Sequence, residues 1–196
     1  MGSPSLSQKR VVIHGHVSAQ PEALAAECGA SYSAERSDDC DAAIFAINPA
    51  AGINPETIEL WQAYDELQTP RLVIVHALGG TELDFDDGVL LANRVFDQLV
   101  TPFLVLHGVD GEAIGLIELS TLNTFDYSTQ PPTQGHADSE LETLVDEFRD
   151  EYFAQLEEMG DGAFAAGLLF PAIPVNLENE LGVNIIKSYL DQLPSR

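Results

Sequence analysis

Short apolar runs alternate with segments of helical periodicity through the first hundred residues of this chain. The apolar runs cover residues 11–14, 41–47 and 71–76, and turn-forming residues follow them, as is typical of buried parallel strands. Residues 55–67 and 86–99 instead repeat apolar side chains at the spacing of an amphipathic helix. This alternation predicts an α/β fold with a mainly parallel sheet flanked by helices.

The pattern changes after residue 100. Residues 103–107 and 113–119 are joined by Gly108-Val109-Asp110-Gly111, which predicts an antiparallel hairpin, and residues 124–128 supply a third strand. Residues 130–139 contain two prolines and a glycine and have the composition of an exposed loop. A small antiparallel subdomain is therefore expected in this part of the chain.

The last third of the chain returns to the first pattern. An acidic amphipathic helix is expected over residues 140–159, a core strand over 168–175 and a final helix over 181–193. We therefore predict a core and an inserted subdomain. These two units comprise residues 1–100 with 165–196, and residues 101–164, respectively.

The loop between the first strand and the first helix occupies the place of a phosphate-binding loop. Such a loop needs a glycine that lets backbone N–H groups surround the anion, a lysine that neutralises it, and a Ser or Thr hydroxyl that holds magnesium. Pro21 stands at the lysine position and has no N–H, and Glu22 places a carboxylate where the hydroxyl is needed. We therefore predict a degenerate phosphate loop. It comprises Gly15, His16, Val17, Ser18, Ala19, Gln20, Pro21 and Glu22.

The same residues have a structural interpretation. Ser18 or Gln20 would cap a helix, Pro21 suits the first turn, and Glu22 is favoured at the positive end of the helix dipole. A catalytic role for His16 is not favoured, because no lysine, magnesium or γ-phosphate sensor would position a water against it.

The charge balance excludes several classes of function. The net charge is −24, from 32 acidic and 8 basic residues, and the basic residues are scattered along the chain. Because affinity for a phosphate backbone needs clustered Lys and Arg, direct binding to nucleic acid is not expected. No apolar run reaches the length of a membrane span, and no cluster has metal-ligand spacing. We expect no membrane association, no metal, no cofactor and a cytoplasmic location.

The order of these segments resembles the GTPase domain of elongation factor G-type translation factors. In that family a strand leads into His-x-Asp-x-Gly-Lys-Thr-Thr and a helix, and His16 and Ala19 fit this frame. The resemblance implies a P-loop-GTPase-like sheet with the family's inserted subdomain, and a place at the N-terminal end of a longer factor. The further matching motifs are Asp41-Ala42-Ala43-Ile44, Pro49-Ala50-Ala51-Gly52-Ile53, the segment 111–119, Gly182-Val183 and Leu193-Pro194-Ser195.

The sequence departs from this family at the motifs that bind guanine. The family carries Asn-Lys-x-Asp after a strand and a later Ser-Ala turn, and the aspartate pairs with the base. The aligned residues here are His76, Ala77, Leu78 and Gly79, and then Asn176 and Leu177. Because these residues depart from the family's motifs, we predict a degenerate guanine site that lacks the base-pairing carboxylate.

The resemblance also fails at the switch region. Too few residues separate the helix near Cys28 from the strand at Asp41 to hold the two switch segments and the Asp-x-x-Gly-His motif. If two family strands are missing or vestigial, Val11 to His14 becomes a sheet edge, which invites pairing with another chain. A homodimer, a partner strand, or shielding by residues 30–33 would each cover that edge.

Together these features predict an elongation factor G-like pseudo-GTPase, a non-catalytic binding or scaffolding module. The resemblance implies the ribosome or a translation factor as protein partner. Two alternatives stay open: a translation-factor GTPase that binds GTP or GDP through altered contacts, and an enzyme that uses the crevice at the carboxyl ends of the strands. Polar residues available in that crevice are Asn48, His76 and Asn176.

Overall fold

The computed structural model of the protein describes residues 9–76 and 84–194. The strands are β1 (Val11–Gly15), β2 (Ser31–Tyr32), β3 (Ala42–Ile47), β4 (Arg71–His76), β5 (Leu99–Val100), β6 (Phe103–His107), β7 (Ala113–Glu118), β8 (Asn123–Asp126), β9 (Thr133–His136) and β10 (Phe170–Val175). The helices are α1 (Pro21–Cys28), α2 (Pro55–Asp65), α3 (Phe85–Ala92), α4 (Ser139–Met159) and α5 (Val183–Asp191), and a 3-10 helix spans Val17–Ala19.

Six strands form one sheet in the order β2-β1-β3-β4-β10-β5. Every neighbouring pair in this sheet is parallel. The strands β3, β4 and β10 are buried along their whole length, as expected when helices cover both faces of a parallel sheet. The predicted α/β fold with a mainly parallel sheet is confirmed.

The two faces of this sheet carry separate apolar cores, because successive side chains of a strand point to opposite faces. Ile44 of β3 packs in one core with Leu24 of α1 and Ile186 of α5. The next residue, Phe45, packs in the other core with Trp61 of α2. The helices α1 and α5 therefore cover one face, and α2 and α3 cover the other.

The remaining four strands form an antiparallel sheet in the order β6-β7-β8-β9. Alternate residues of β7 again serve different cores. Leu116 joins the core on the α1 and α5 side of the first sheet, whereas Ile117 packs in a third cluster with Val145 and Tyr152 of α4. The antiparallel sheet thus lies between α4 and the main core.

Strand β9 corrects one sequence prediction. Residues 130–139 were expected to form a loop, but Thr133–His136 pairs with β8. All four residues are exposed, so the segment has no apolar alternation that would indicate a strand. The segment forms a strand because its backbone pairs with β8, although its composition is typical of a loop.

The helix predicted over residues 86–99 is shorter in the structure. The helix α3 ends at Ala92, and the side chain of Asn93 then accepts a hydrogen bond of 2.9 Å from the backbone N–H of Leu99. This turn brings Leu99 and Val100 into pairing with β10 as the short strand β5. The apolar spacing continued past the helix because these residues are buried against the sheet.

The predicted edge position of Val11 to His14 is wrong. Strand β2 pairs with β1 at Val12 and Ile13, and the backbone N–H of Ser33 donates to the carbonyl oxygen of Ile13 at 3.1 Å. Of the three ways to cover β1, shielding by the segment that follows α1 is the one observed. Strand β2 therefore occupies the side of β1 through which the homodimer was expected to form.

Candidate functional site

The carboxyl ends of β1, β3, β4 and β10 lie side by side in the first sheet, as their register requires. Gly15 ends β1 with φ of +152°, and a side chain at this position would overlap the carbonyl oxygen of Ala46 on β3. Only glycine lets the chain turn so closely over the neighbouring strand. The predicted phosphate loop begins at this turn.

The loop itself is closed by hydrogen bonds among its own residues. The N–H of Ser18 donates to Nδ1 of His16 at 3.2 Å, that of Ala19 to the His16 carbonyl oxygen at 2.9 Å, and that of Gln20 to the Val17 carbonyl oxygen at 3.0 Å. The two backbone bonds form the 3-10 helix Val17–Ala19, and the His16 side chain caps its start. Three consecutive amides that would otherwise be available to an anion are therefore engaged inside the loop.

Helix α1 begins directly after this 3-10 helix. Gln20 is the residue before the helix, in the left-handed region at φ of +53°, and its side chain makes no capping hydrogen bond. Pro21 takes the first helical position and Glu22 lies in the first turn, as predicted. Ser18 lies too early in the chain to cap α1.

Side chains from the ends of β3 and β4 hold the loop against the sheet. The amide nitrogen of Asn48 donates to the carbonyl oxygen of Ser18 at 3.0 Å, and Nδ1 of His76 donates to the carbonyl oxygen of Ala19 at 2.9 Å. Asn48 also accepts from the backbone N–H of Ala50 at 3.0 Å. Both side chains are buried, so their polar groups are committed to the loop and its surroundings.

His76 is neutral in this arrangement. Burial lowers the pKa of His76 below its ordinary value, an effect partly opposed by the hydrogen bond to Ala19 and by the charge of Glu178. Since a carbonyl oxygen can only accept, the proton of the neutral ring lies on Nδ1. A neutral histidine in this position offers no positive charge to a phosphate.

Asn176 follows β10 at the same edge, because Val175 pairs with His76. The side-chain oxygen of Asn176 accepts a hydrogen bond from the backbone N–H of Glu178 at 2.9 Å. The backbone N–H of Asn176 donates to the carbonyl oxygen of Leu181 at 3.0 Å. Leu177 packs partly buried against the core. Asn176 therefore shapes its own turn, and the crevice residues Asn48, His76 and Asn176 are neighbours by register with separate hydrogen-bond partners.

The other predicted guanine-site residues, Ala77, Leu78 and Gly79, lie outside the described residues. Within residues 9–76 and 84–194, no group of three His, Cys, Asp or Glu side chains is placed to hold a metal ion. Over the same ranges, none of the helices is both long enough and apolar enough to cross a membrane.

Comparison with known proteins gives the relationship of this chain. No protein-family model matches it. Elongation factor G of Ruegeria sp. (strain TM1040) is 25% identical over 138 residues, which cover 68% of this chain and 20% of that protein. Elongation factor G of Cereibacter sphaeroides (strain KD131 / KCTC 12085) is 26% identical over 118 residues, covering 60% of this chain and 16% of that protein. The chain is related to elongation factor G.

The chain thus spans about a fifth or less of the length of these relatives. Its fold also matches a crystal structure of a protein from Thermus thermophilus, with a TM-score of 0.70 and 18% identity. That match covers 97% of this chain and 41% of the other. The two relatives confirm the resemblance to elongation factor G inferred from the sequence, and the structure confirms the predicted mainly parallel sheet with a separate antiparallel sheet.

A cavity of about 710 Å³ lies between the antiparallel sheet and α5, and sequence reasoning missed it. It is bounded by the antiparallel sheet, the carboxyl end of α4, and α5. One face of α5 contributes to this cavity, and its helical spacing is visible in the sequence. The residues of that face are Ile185, Ser188, Tyr189 and Gln192. The aromatic residues that line the cavity are Phe103, Phe125, Tyr127, Tyr152, Phe164 and Tyr189.

Proposed function

We propose that this elongation factor G-like domain does not hydrolyse GTP and acts as a binding or scaffolding module. The observation that carries this proposal is the state of the loop after β1. The amides of Ser18, Ala19 and Gln20 are engaged in the loop, and two of its carbonyl oxygens accept from Asn48 and His76. A phosphate-binding loop instead directs consecutive free N–H groups at the anion.

The chemistry of the loop supports the same proposal. At the start of α1, Pro21 provides neither an N–H nor a charge, and Glu22 adds a carboxylate. Two negative charges a few ångströms apart repel each other, so a triphosphate at this helix end would meet an unfavourable field. Opening the loop to receive it would also break the bonds that Asn48 and His76 make.

The partner that we propose belongs to the translation apparatus: a protein of the ribosome or a translation factor. The relatives named elongation factor G support this choice. The net charge of −24 disfavours direct contact with nucleic acid, because phosphate backbones repel an acidic surface. In this proposal residues 101–164 form the inserted subdomain and the protein acts in the cytoplasm.

The proposal is tested by incubating the full chain with GTP and purified ribosomes, and by sedimenting the ribosomes afterwards. We expect no GTP hydrolysis above that of ribosomes alone, together with saturable co-sedimentation of the protein. A full-length elongation factor G is the positive control for hydrolysis. Ribosome-stimulated release of phosphate by this chain would contradict the non-catalytic role, and absence from the ribosome pellet would contradict the choice of partner.

A further inference from the structure

The cavity between the antiparallel sheet and α5 brings together aromatic side chains from separate elements of the fold. Tyr127 follows β8, Tyr152 lies on α4 and Tyr189 lies on α5, while Phe103, Phe125 and Phe164 complete the aromatic wall. Tyr189 contacts Phe164 edge to face, with ring centroids 5.2 Å apart. Aromatic rings carry negative potential on their faces, so a wall of this kind attracts cations.

The charged residues along the cavity have one sign. Glu118 at the end of β7 and Asp161 after α4 line it, and the lining residues in the described ranges include no lysine, arginine or histidine. Glu118 is partly buried and accepts a hydrogen bond of 2.6 Å from the hydroxyl of Thr121. The carboxylate is therefore held in place at the wall of the cavity.

The carboxyl end of α4 adds to the negative field. The helix ends at Met159, Gly160 caps it through its N–H to the carbonyl oxygen of Leu156 at 2.9 Å, and Gly160, Asp161 and Gly162 line the cavity. The last carbonyl groups of a helix carry partial negative charge and favour cations. Asp161 supplies a full charge at the same place.

The pKa values of two tyrosine hydroxyl groups in the cavity are raised by burial and by nearby negative charge. Burial raises the pKa of Tyr189 well above its ordinary value, and the nearby Tyr152 and Glu118 raise it further. Burial followed by the charge of Glu118 likewise raises the pKa of Tyr152. Both phenols therefore stay neutral at physiological pH, and both residues line the cavity.

We propose that this cavity binds an organic cation, an ammonium or quaternary ammonium group carried on an apolar body. The cation would lie against the aromatic wall with Glu118 as its counter-charge, and the apolar body would fill the remaining space. A volume of about 710 Å³ suits such a ligand, because small-molecule sites measure roughly 300–1,000 Å³. Binding of a cation in this cavity is independent of whether the loop after β1 binds a nucleotide.

The test uses two probes of the same shape that differ in charge, acetylcholine and its neutral carbon analogue 3,3-dimethylbutyl acetate. Each is titrated into the isotopically labelled full chain while backbone and tyrosine NMR signals are recorded. We expect saturable shifts at Tyr127, Tyr152 and Tyr189 with acetylcholine, and an affinity for the neutral analogue roughly tenfold lower. Equal affinity for the two probes, or no shift with acetylcholine, would overturn the proposal.

Variants separate the aromatic face and the carboxylate from general effects on the fold. Tyr189→Phe keeps the ring and should retain acetylcholine binding, whereas Tyr189→Leu removes the ring and should weaken it by roughly three- to thirtyfold. Glu118→Gln keeps the acceptor for Thr121 and removes the charge, so it should weaken binding several-fold. Glu112→Gln, on the exposed turn before β7, makes the same charge change away from the cavity.

The controls make each variant informative. Thermal unfolding checks that every variant is folded before titration, and Tyr189→Phe and Glu118→Gln are conservative enough to test the proposal if Tyr189→Leu unfolds. Equal binding by Glu118→Gln and Glu112→Gln would show that the cavity has no specific counter-charge and would overturn the proposal. Unchanged binding by folded Tyr189→Leu would do the same for the aromatic wall.

Discussion

The side-chain amide of Asn48 donates a hydrogen bond of 3.0 Å to the carbonyl oxygen of Ser18, thirty residues earlier in the chain. Through this bond the end of β3 fixes the loop that follows β1. His76, at the end of β4, makes the equivalent bond to Ala19. The loop is therefore tied to the sheet by two side chains that come from different strands.

Removing the Asn48 amide tests this tie. Asn48→Ala should lower the free energy of unfolding by about 1–3 kcal/mol, because the carbonyl of Ser18 and the N–H of Ala50 lose their partners. Asn184→Ala, at an exposed position on α5, should change it by less than about 0.5 kcal/mol. Urea unfolding of both variants measures the difference, and equal stability of the two would contradict the role of Asn48.

Buried His14 predicts a dependence of stability on pH. Its Nδ1 donates to the carbonyl oxygen of Ser33 at 2.7 Å, and its Nε2 accepts from the Tyr64 hydroxyl at 3.0 Å. Burial lowers the pKa of His14 below its ordinary 6.5, against the weaker raising effect of the Ser33 bond. Below pH 6.5 the unfolded chain therefore takes up a proton that the native state excludes, and the free energy of unfolding falls as the pH falls.

This pH effect is isolated by comparison with variants. His14→Gln should reduce the slope of unfolding free energy against pH by up to about 1.4 kcal/mol per pH unit between pH 6.5 and the lower native pKa. Asn184→Ala, at an exposed position on α5, removes no titratable group and is the control, so it should leave the slope unchanged. Urea unfolding at several pH values gives the slopes, and identical slopes for the wild type and His14→Gln would refute the prediction.

Gly182, the residue before α5, tests close packing against β10. It has φ of +79°, and a side chain there would overlap the carbonyl oxygen of Pro174. Gly182→Ala should therefore cost more than the roughly 1–2 kcal/mol of left-handed strain alone. Gly29→Ala, also left-handed at φ of +68° but facing open space, should cost only that strain. Similar melting temperatures for these two variants would argue against the overlap.

Arg71 is a buried cation whose role depends on its planar shape. Its guanidinium carbon lies 4.5 Å from the ring centre of Trp61 and 4.4 Å from that of Phe170, and its Nη2 atom pairs with Asp65 at 2.5 Å. Lysine keeps the charge but cannot fill this planar site, so Arg71→Lys should cost about 2–4 kcal/mol. Arg94→Lys, at an exposed position, serves as the control in urea unfolding. A loss below about 0.5 kcal/mol for Arg71→Lys, the range of ordinary surface substitutions, would contradict this account.

The sequence predicted the sheet well because its strands are nearly continuous apolar runs. Strand β4 and strand β6 have the bounds expected from those runs. The two-residue strands β2 and β5 carry too few residues for a periodic signal, and β9 is exposed throughout. For β2 and β5 the pairing partner lies elsewhere in the chain, and for β9 it is the neighbouring strand β8; in all three the pairing and not the local pattern determines the structure.

The candidate sites differ in the same way. The loop from Gly15 to Glu22 was located by its place between a strand and a helix, and the missing lysine was visible in the residues themselves. The hydrogen bonds from Asn48 and His76 were not predictable, because they depend on how three strands align. The helical spacing of Ile185, Ser188, Tyr189 and Gln192 was visible in the sequence, but the aromatic cavity that they line depends on how α4 and α5 pack against the antiparallel sheet.

The most direct test of the central claim is calorimetric titration of the purified chain with GTP and with GDP in millimolar magnesium. The GTPase domain of an elongation factor G, titrated under the same conditions, is the control. Because the loop amides are engaged and the loop carries no lysine, we predict no saturable heat for this chain where the control saturates. Binding of either nucleotide near the strength of the control would contradict the account.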